Sequence, residues 1–176
     1  MQMNYCMHCG TKLISKYLES EGKEIPFCPS CNDFRFPVFN TAVSAIIHNQ
    51  EDSHYLLFRQ YGGSEYILCA GYVNQGEDAE DAVKRESKEE LDLDAVSITF
   101  NRSHYFAPSN TLMLNFTATV LNEDAHPNEE IDSWKWFPKE DVQNHIRRNS
   151  LAEAFLKGYF TKEYVFPVYP AKPYKQ

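Results

Sequence analysis

An α/β or α+β domain is the fold class that these 176 residues predict: a mixed sheet with helices packed on it, preceded by a small cysteine-rich module. Three observations carry the expectation. Four of the five cysteines fall within the first 31 residues. Beyond them, short strand-like apolar stretches alternate with segments of helical character. The chain is 43% apolar and 14% aromatic, enough to bury a sizeable core and too much for a disordered polymer. The length suits one domain with an appendage.

The cysteines come first. Cys6 and Cys9 form one C-x-x-C and Cys28 and Cys31 another, with 18 residues between them. Each pair makes a tight knuckle that directs two sulfurs at one centre, and Gly10 follows Cys9 where positive φ is useful. This spacing predicts a four-thiolate zinc site over residues 1–37, a small zinc ribbon. Two disulfides or reduced bystanders are the other readings. Four protein thiolates leave no coordination position for water, so the zinc is expected to be structural, supplying folding energy to a segment with little core. Lys12, Lys16, Lys23 and Arg35 are balanced by Glu19, Glu21, Glu24 and Asp33, so nucleic-acid binding by the ribbon alone is not expected.

Phe34–Phe39, containing Pro37, reads as the link to a second domain over residues 38–176. Thr41–His48 and Tyr55–Gln60 are strand-like, with NQEDS as the turn between them. Tyr66–Val73 is an apolar stretch. Asp78–Leu91 reads as a helix, with Asp78 as N-cap and Asp81 in a near capping-box position. Ser97–Phe106, Leu112–Val120 and Ser133–Phe137 are strand-like; Lys139–His145 and Leu151–Phe160 are helical. Trp134 and Trp136 share one strand face by period two. Cys69 reads as a buried thiol.

Charge and patterning exclude several classes. The net charge of −8 argues against a general affinity for the nucleic-acid backbone. No run approaches the ~18 apolar residues of a membrane span. The opening MQMNYCMHCG lacks a charged segment followed by an apolar one, so a cytoplasmic protein is expected. The histidines show no metal-ligand spacing, and no nucleophile–histidine pair or phosphate-binding glycine loop stands out.

The most informative segment is GYVNQGEDAEDAVKRESKEELDL, Gly71 to Leu93, with eight acids and three bases. On a helix, Glu86, Glu89 and Glu90 stand at i, i+3 and i+4, within an arc of about 100°. Like charges so placed repel, and a divalent cation converts that repulsion into a binding site. Hard oxygen ligands suit Mg²⁺ or Mn²⁺. A solvated charged face is the other reading of an arbitrary acidic helix.

The fixed positions Gly71, Glu77, Arg85, Glu86, Glu89 and Glu90, with Leu93 closing the pattern, resemble the Nudix box, G-x5-E-x7-R-E-U-x-E-E-x-G-U, where U is a large aliphatic residue. Two positions depart: Ser87 stands for an aliphatic, on the core side of the helix, and Asp92 for a glycine. Together with the four-cysteine ribbon and the run Ala70-Gly71-Tyr72-Val73-Asn74-Gln75-Gly76-Glu77, the chain is most similar to the zinc-ribbon NADH pyrophosphatase branch. The Ser-Gln-Pro-Trp motif of that branch is replaced here by His104-Tyr105-Phe106-Ala107-Pro108-Ser109-Asn110-Thr111-Leu112-Met113.

The resemblance implies a Nudix fold, a mixed sheet sandwiched by helices, and divalent-metal-dependent hydrolysis of a nucleoside diphosphate derivative. NAD(H) or an NAD-capped RNA end is the first expectation. ADP-ribose or an ADP-sugar, or a catalytically weak sensor, are the alternatives. It further implies Glu86 and Glu90 as principal metal ligands, Glu89 as a further ligand or a helper to the base, and the Ala70 carbonyl as an additional ligand. Arg85 would hold Glu77 and its loop. Glu130, six residues before Trp136, is expected as an extra metal ligand or general base, with Glu129 as understudy; solvated loop acids are the alternative. Tyr72 occupies the place of the branch's stacking Phe. Tyr105 and Phe106 stand as a second wall or as core residues, and Ser150-Leu151-Ala152 resembles the branch's C-terminal segment, with Ala152 at the substrate. A homodimer is implied as well.

Overall fold

The computed structural model describes residues 3–169. The chain divides into two compact units, Met1–Phe39 and Asn40–Gln176. The first carries a three-stranded antiparallel sheet in the order β1 (Ile14–Leu18), β2 (Lys23–Cys28), β3 (Asp33–Phe34). Its buried apolar side chains are few, chiefly Ile25 and Phe27 beside Cys6 and Cys28. So small a core leaves the cysteine sulfurs as the main candidates for holding this unit together.

In the second unit, β4 (Asn40–Asn49), β5 (His54–Gln60), β7 (Ala95–Phe106), β8 (Thr111–Val120) and β9 (Ile131–Pro138) form a mixed sheet in the order β7-β8-β4-β5-β9, with the short β6 (Cys69–Tyr72) paired to β4. Strands β4 and β8 run parallel; the other pairs are antiparallel. The near-continuous apolar run in β4 follows from burial on both faces. Val43, Ala45 and Ile47 pack with Ala82, Val83 and Leu91 of α1 (Ala79–Leu91), whereas Ile46, one step out of phase, packs with Phe155 and Leu156 of α3 (Leu151–Thr161) and Val142 of α2 (Val142–His145). The period of two thus places β4 between two helical layers.

Two local expectations are corrected, and one apolar stretch is resolved into its parts. The helix anticipated over residues 139–145 ends at His145 as expected but begins only at Val142, because residues 139–141 form a turn in which Asp141 N donates to the Pro138 carbonyl (2.9 Å). The apolar stretch 66–73 is not one strand: Tyr66 bridges to Ile146, Ile67 to Phe58, and only Cys69–Tyr72 joins β4. Asp78 has N-cap backbone geometry, but its side chain makes no capping hydrogen bond. The side-chain cap occurs instead at α3, where Ser150 Oγ accepts from Glu153 N (3.0 Å) and the Glu153 carboxylate accepts from Asn149 N (2.7 Å). The S-x-x-E spacing there was a legible signal.

The two departures in the acidic segment have different consequences. Asp92 adopts the left-handed conformation (φ 55°, ψ 28°) that a glycine takes most easily, with its N–H bonded to the Lys88 carbonyl and its carboxylate 2.7 Å from Lys88 Nζ. Ser87 is fully buried, and its hydroxyl has no hydrogen-bond partner at a suitable distance and angle. An unpartnered buried hydroxyl costs about 1–3 kcal/mol. Ser87→Ala is therefore expected to raise unfolding free energy by about 1–2 kcal/mol in denaturant titration. A loss of stability would mean that the hydroxyl is hydrogen-bonded after all.

Candidate active site and candidate metal centre

Strand β6 and helix α1 bring the acidic residues together. Gly71 pairs with Val43 in the sheet, and its open face receives the Glu86 side chain: a Cβ at Gly71 would lie 1.9 Å from Glu86 Cδ. Any other residue there would expel the carboxylate, which is a physical reason for glycine at this position. Arg85 braces the loop between β6 and α1. Its Nε and NH2 donate to the two Glu77 oxygens (2.7 and 3.0 Å), NH2 also donates to the Tyr72 carbonyl (2.9 Å), and NH1 reaches Glu86 (2.7 Å) and Glu89 (3.1 Å). The Arg85 hydrogen bonds, with one from Asn74 N, hold the Glu77 carboxyl down at about 2. The stabilisation from this depressed pKa is present above the ordinary 4.5 and is lost as pH falls toward 2.

Glu90 is the most buried of these acids, 8% exposed, and its Oε2 has no hydrogen-bond partner. Burial raises its pKa to about 7, against a hydrogen bond from the Cys69 thiol, and the charges of Glu86, Glu130 and Glu89 push further in the same direction. Cys69 itself is a buried thiol pushed well up by its own desolvation and then by Glu90.

Glu130 reaches the same place through the loop after β8. That loop caps the last turn of α1: His126 N donates to the Leu91 carbonyl (2.8 Å), Asn128 N to that of Glu90 (2.9 Å), and Asn128 Nδ2 to that of Glu89 (3.2 Å). Asn128 Oδ1 then accepts from Glu130 N (3.0 Å). Tyr61 completes the hold, donating its hydroxyl to the Glu130 carboxylate and its N–H to the Glu130 carbonyl (3.3 Å). Tyr61 and Asn128 were not singled out from sequence. Neither carries a motif, and only the loop's return across the helix end gives them their place.

Glu86, Glu90 and Glu130 line one cavity of about 700 Å³, together with Ala70, Gly71, Tyr72, Phe106 and Ala152. Tyr61, Arg147, Arg148, Asn149 and Tyr169 line it too, and sequence reasoning missed them. Three expected residues are not brought to the wall. Tyr105 is on the alternate side of β7 from Phe106, with its hydroxyl on Asn110 Oδ1 (2.7 Å). Glu89, with a side chain 59% exposed, bonds Arg85 outside the lining, and Glu129 is exposed. Trp136 donates from Nε1 to the Glu123 carbonyl (2.9 Å) and packs against the core, a structural role.

The donor set fits a hard divalent cation. Glu90, whose proton affinity is raised by burial and by the charges of its neighbours and whose Oε2 is buried without a partner, needs positive charge to be satisfied as a carboxylate.

In the first unit the sulfurs of Cys6, Cys9, Cys28 and Cys31 all lie within 4.8 Å of one another. The separations are 3.9 Å for Cys6–Cys31, 3.5 Å for Cys9–Cys28 and 3.3 Å for Cys9–Cys31. A disulfide requires about 2.05 Å. Zn–S bonds of about 2.3 Å put tetrahedral sulfurs about 3.8 Å apart, so the four thiols fit a zinc ion. Gly10 (φ 72°) and Asn32 (φ 52°) follow the two knuckles. Arg35 Nε donates to Cys6 Sγ (3.2 Å), setting a guanidinium against a thiolate cluster that would remain negative with zinc bound. Burial raises the Cys6 pKa, but Arg35 and the backbone N–H groups of Cys9 and His8 overcome it and hold the thiol at about 6.

The family model described as NUDIX domain matches residues 38–157. The chain belongs to the Nudix family. It is 24% identical over 162 residues to a protein of Stutzerimonas stutzeri named NAD-capped RNA hydrolase NudC, an alignment covering 92% of this chain and 57% of that protein. It is 29% identical over 143 residues to a protein of the same name from Deinococcus radiodurans, covering 78% and 50%. The chain thus spans about half the length of these relatives. A crystal structure of a NUDIX hydrolase from Nitrosomonas europaea superposes with a TM-score of 0.58 at 20% identity, over 93% of this chain and 96% of that one, and shares the fold. Among the described residues no helix is long and apolar enough to cross a membrane.

Proposed function

We propose that this chain hydrolyses the diphosphate bond of a nucleoside diphosphate derivative in a reaction that needs Mg²⁺ or Mn²⁺. The observation that carries this reading is the cavity, which Glu86, Glu90 and Glu130 line together with Ala70, Gly71, Tyr72 and Phe106. Glu86, Glu90, Glu130 and the Ala70 carbonyl would hold the cation. When bound, it neutralises diphosphate oxygens and lowers the pKa of a coordinated water. Glu130, held by Tyr61, would serve either as one of those ligands or as the general base that accepts a proton from water. Glu89 stands outside the lining as a helper to the base or a further ligand. Arg85 keeps Glu77 and the loop in place and presents Glu86. Tyr72 and Phe106 offer faces to a planar base, and Ala152, at the start of α3, completes the wall. The four ribbon cysteines hold a structural Zn²⁺, and the working assembly is a homodimer, testable by light scattering.

Within this class, the names of the relatives favour NAD-capped RNA ends, and free NAD(H) carries the same dinucleotide diphosphate. ADP-ribose is the second reading. It is favoured because Phe106, Ser109, Thr111 and Met113, which line the cavity, lie in the segment that departs from the Ser-Gln-Pro-Trp motif. Turnover of NAD⁺, NADH, NAD-capped RNA, ADP-ribose and diadenosine polyphosphates, each with Mg²⁺ or Mn²⁺, decides between them. The mononucleotide halves of the dinucleotide are expected as products. Turnover of ADP-ribose alone moves the chain to the second reading, and absence of metal-dependent turnover throughout overturns the proposal.

A further inference from the structure

We propose that Tyr169, carried into the cavity by the segment after α3, is a specificity-determining residue that receives the planar ring of the nucleotide substrate. The inference deepens the functional reading of the cavity and rests on it.

After Thr161 the chain leaves the helix and runs without regular secondary structure to residue 169. Ordering such a segment costs about 1–2 kcal/mol per residue in backbone entropy, so it stays in place only if its side chains bury enough surface. Two of them do. Tyr164 lies over Gly158, where any Cβ would come within 2.2 Å of its ring. Phe166 stacks on His104 of β7 (centroids 3.8 Å apart, planes 12° apart) and meets Phe155 of α3 edge-on at 5.3 Å. Val165 and Val168 point away, the latter 96% exposed.

Beyond these anchors the segment delivers one more aromatic ring. Tyr169 lines the cavity of the acidic cluster, half-buried. Its hydroxyl donates to the Asn149 carbonyl (3.1 Å), and its ring meets Phe106 edge to face at 4.9 Å and 76°. The phenol is thus held at both ends of its reach, by α3's approach and by β7. Core packing does not require this ring, because Tyr164 and Phe166 already anchor the segment. A ring fixed edge-on against Phe106 within a cavity of this size suits a flat, weakly polar group, and the heteroaromatic ring of a nucleotide is the group available in a nucleoside diphosphate. Base–aromatic stacking is commonly worth about 1–3 kcal/mol.

The test is calorimetric titration of the full chain, with Mg²⁺ present, against AMP, nicotinamide mononucleotide and ribose 5-phosphate. Wild type is compared with Tyr169→Ala, Tyr169→Phe and Val168→Ala. Tyr169→Ala is expected to weaken at least one of the two nucleotides by about tenfold while leaving ribose 5-phosphate unchanged. The nucleotide affected names the half of the substrate that the ring receives. Tyr169→Phe, which keeps the ring, and Val168→Ala are expected to match wild type within about threefold. Equal loss for ribose 5-phosphate, or no loss for either nucleotide, overturns the assignment of Tyr169 and leaves the hydrolase reading standing. Should Tyr169→Ala fail to fold, a nucleotide affinity in Tyr169→Phe as weak as that of ribose 5-phosphate overturns it. Wild type that binds none of the three overturns both.

Discussion

Glu90→Gln is expected to lower metal-dependent turnover by at least about 10²–10³-fold and, in the absence of metal, to make the protein more stable at pH 8. The two effects have one cause. Glu90 is held 92% out of solvent, as its 8% exposure shows, beside Glu86 and Glu130, with one oxygen unpaired. Its carboxyl ionises at about 7 in the folded chain against an ordinary 4.5. The sign follows. Below about 4.5 the group is protonated whether the chain is folded or not, and no penalty arises. Between 4.5 and 7 the unfolded chain releases the proton and the folded chain retains it, so stability falls as pH rises. Above 7 the full penalty persists, on the order of 3 kcal/mol from the size of the shift. Glutamine is close in shape and uncharged, so the variant should gain that amount at pH 8 and nothing at pH 4 in denaturant titrations with chelator. Added Mg²⁺ should stabilise wild type more than the variant. Equal stability of the two at pH 8 without metal would contradict this account of Glu90, and so would full activity in the variant.

Loss of the metal from the cysteine cluster is expected to have the largest effect on stability. Ile25 and Phe27 are the chief apolar residues buried in the first unit apart from its cysteines, and structural zinc typically supplies about 10–16 kcal/mol to a module of this kind. One zinc per chain is expected by elemental analysis. Cys28→Ser, which removes a fully buried sulfur, should abolish stoichiometric zinc and make residues 3–39 protease-sensitive. Arg35→Ala should weaken zinc retention without abolishing it, since the guanidinium compensates charge and is not a ligand. A Cys28→Ser chain that retains zinc and resists protease as wild type does would contradict the assignment.

Regular elements were legible where their pattern had one cause. The apolar run of β4 and the periodic acids and alanines of α1 each announce a single geometry, and both elements lie within a residue or two of expectation. Legibility failed where partners far along the chain decide the conformation. The stretch 66–73 is divided among Ile146, Phe58 and β4, and residues 139–141, anticipated as helix, form a turn that returns Asp141 N to the Pro138 carbonyl at the end of β9. The acidic segment showed which carboxylates belong together, because fixed spacing on one helix is readable. Counting back from Trp136 reached Glu130, which the structure brings to the cavity wall, but nothing local pointed to Tyr61 or Asn128, which hold it there. Tyr105 and Phe106 could not be separated by composition. One residue of strand phase sends Phe106 to the cavity and Tyr105 toward Asn110. Tyr169 was invisible for the same reason as Tyr61: its place depends on the contacts of Tyr164 and Phe166, and those are tertiary.

The central claim is that the carboxylates of the cavity act together as one divalent-cation site. Titration of Mn²⁺ into wild type and into Glu86→Gln, Glu90→Gln and Glu130→Gln, followed by the loss of the free-ion paramagnetic resonance signal, tests it most directly. The account predicts binding in wild type that strengthens with pH up to about 7 and then levels, and that weakens by about tenfold or more in each variant. Wild type that leaves the Mn²⁺ signal unchanged, or variants that bind as wild type does, would contradict it.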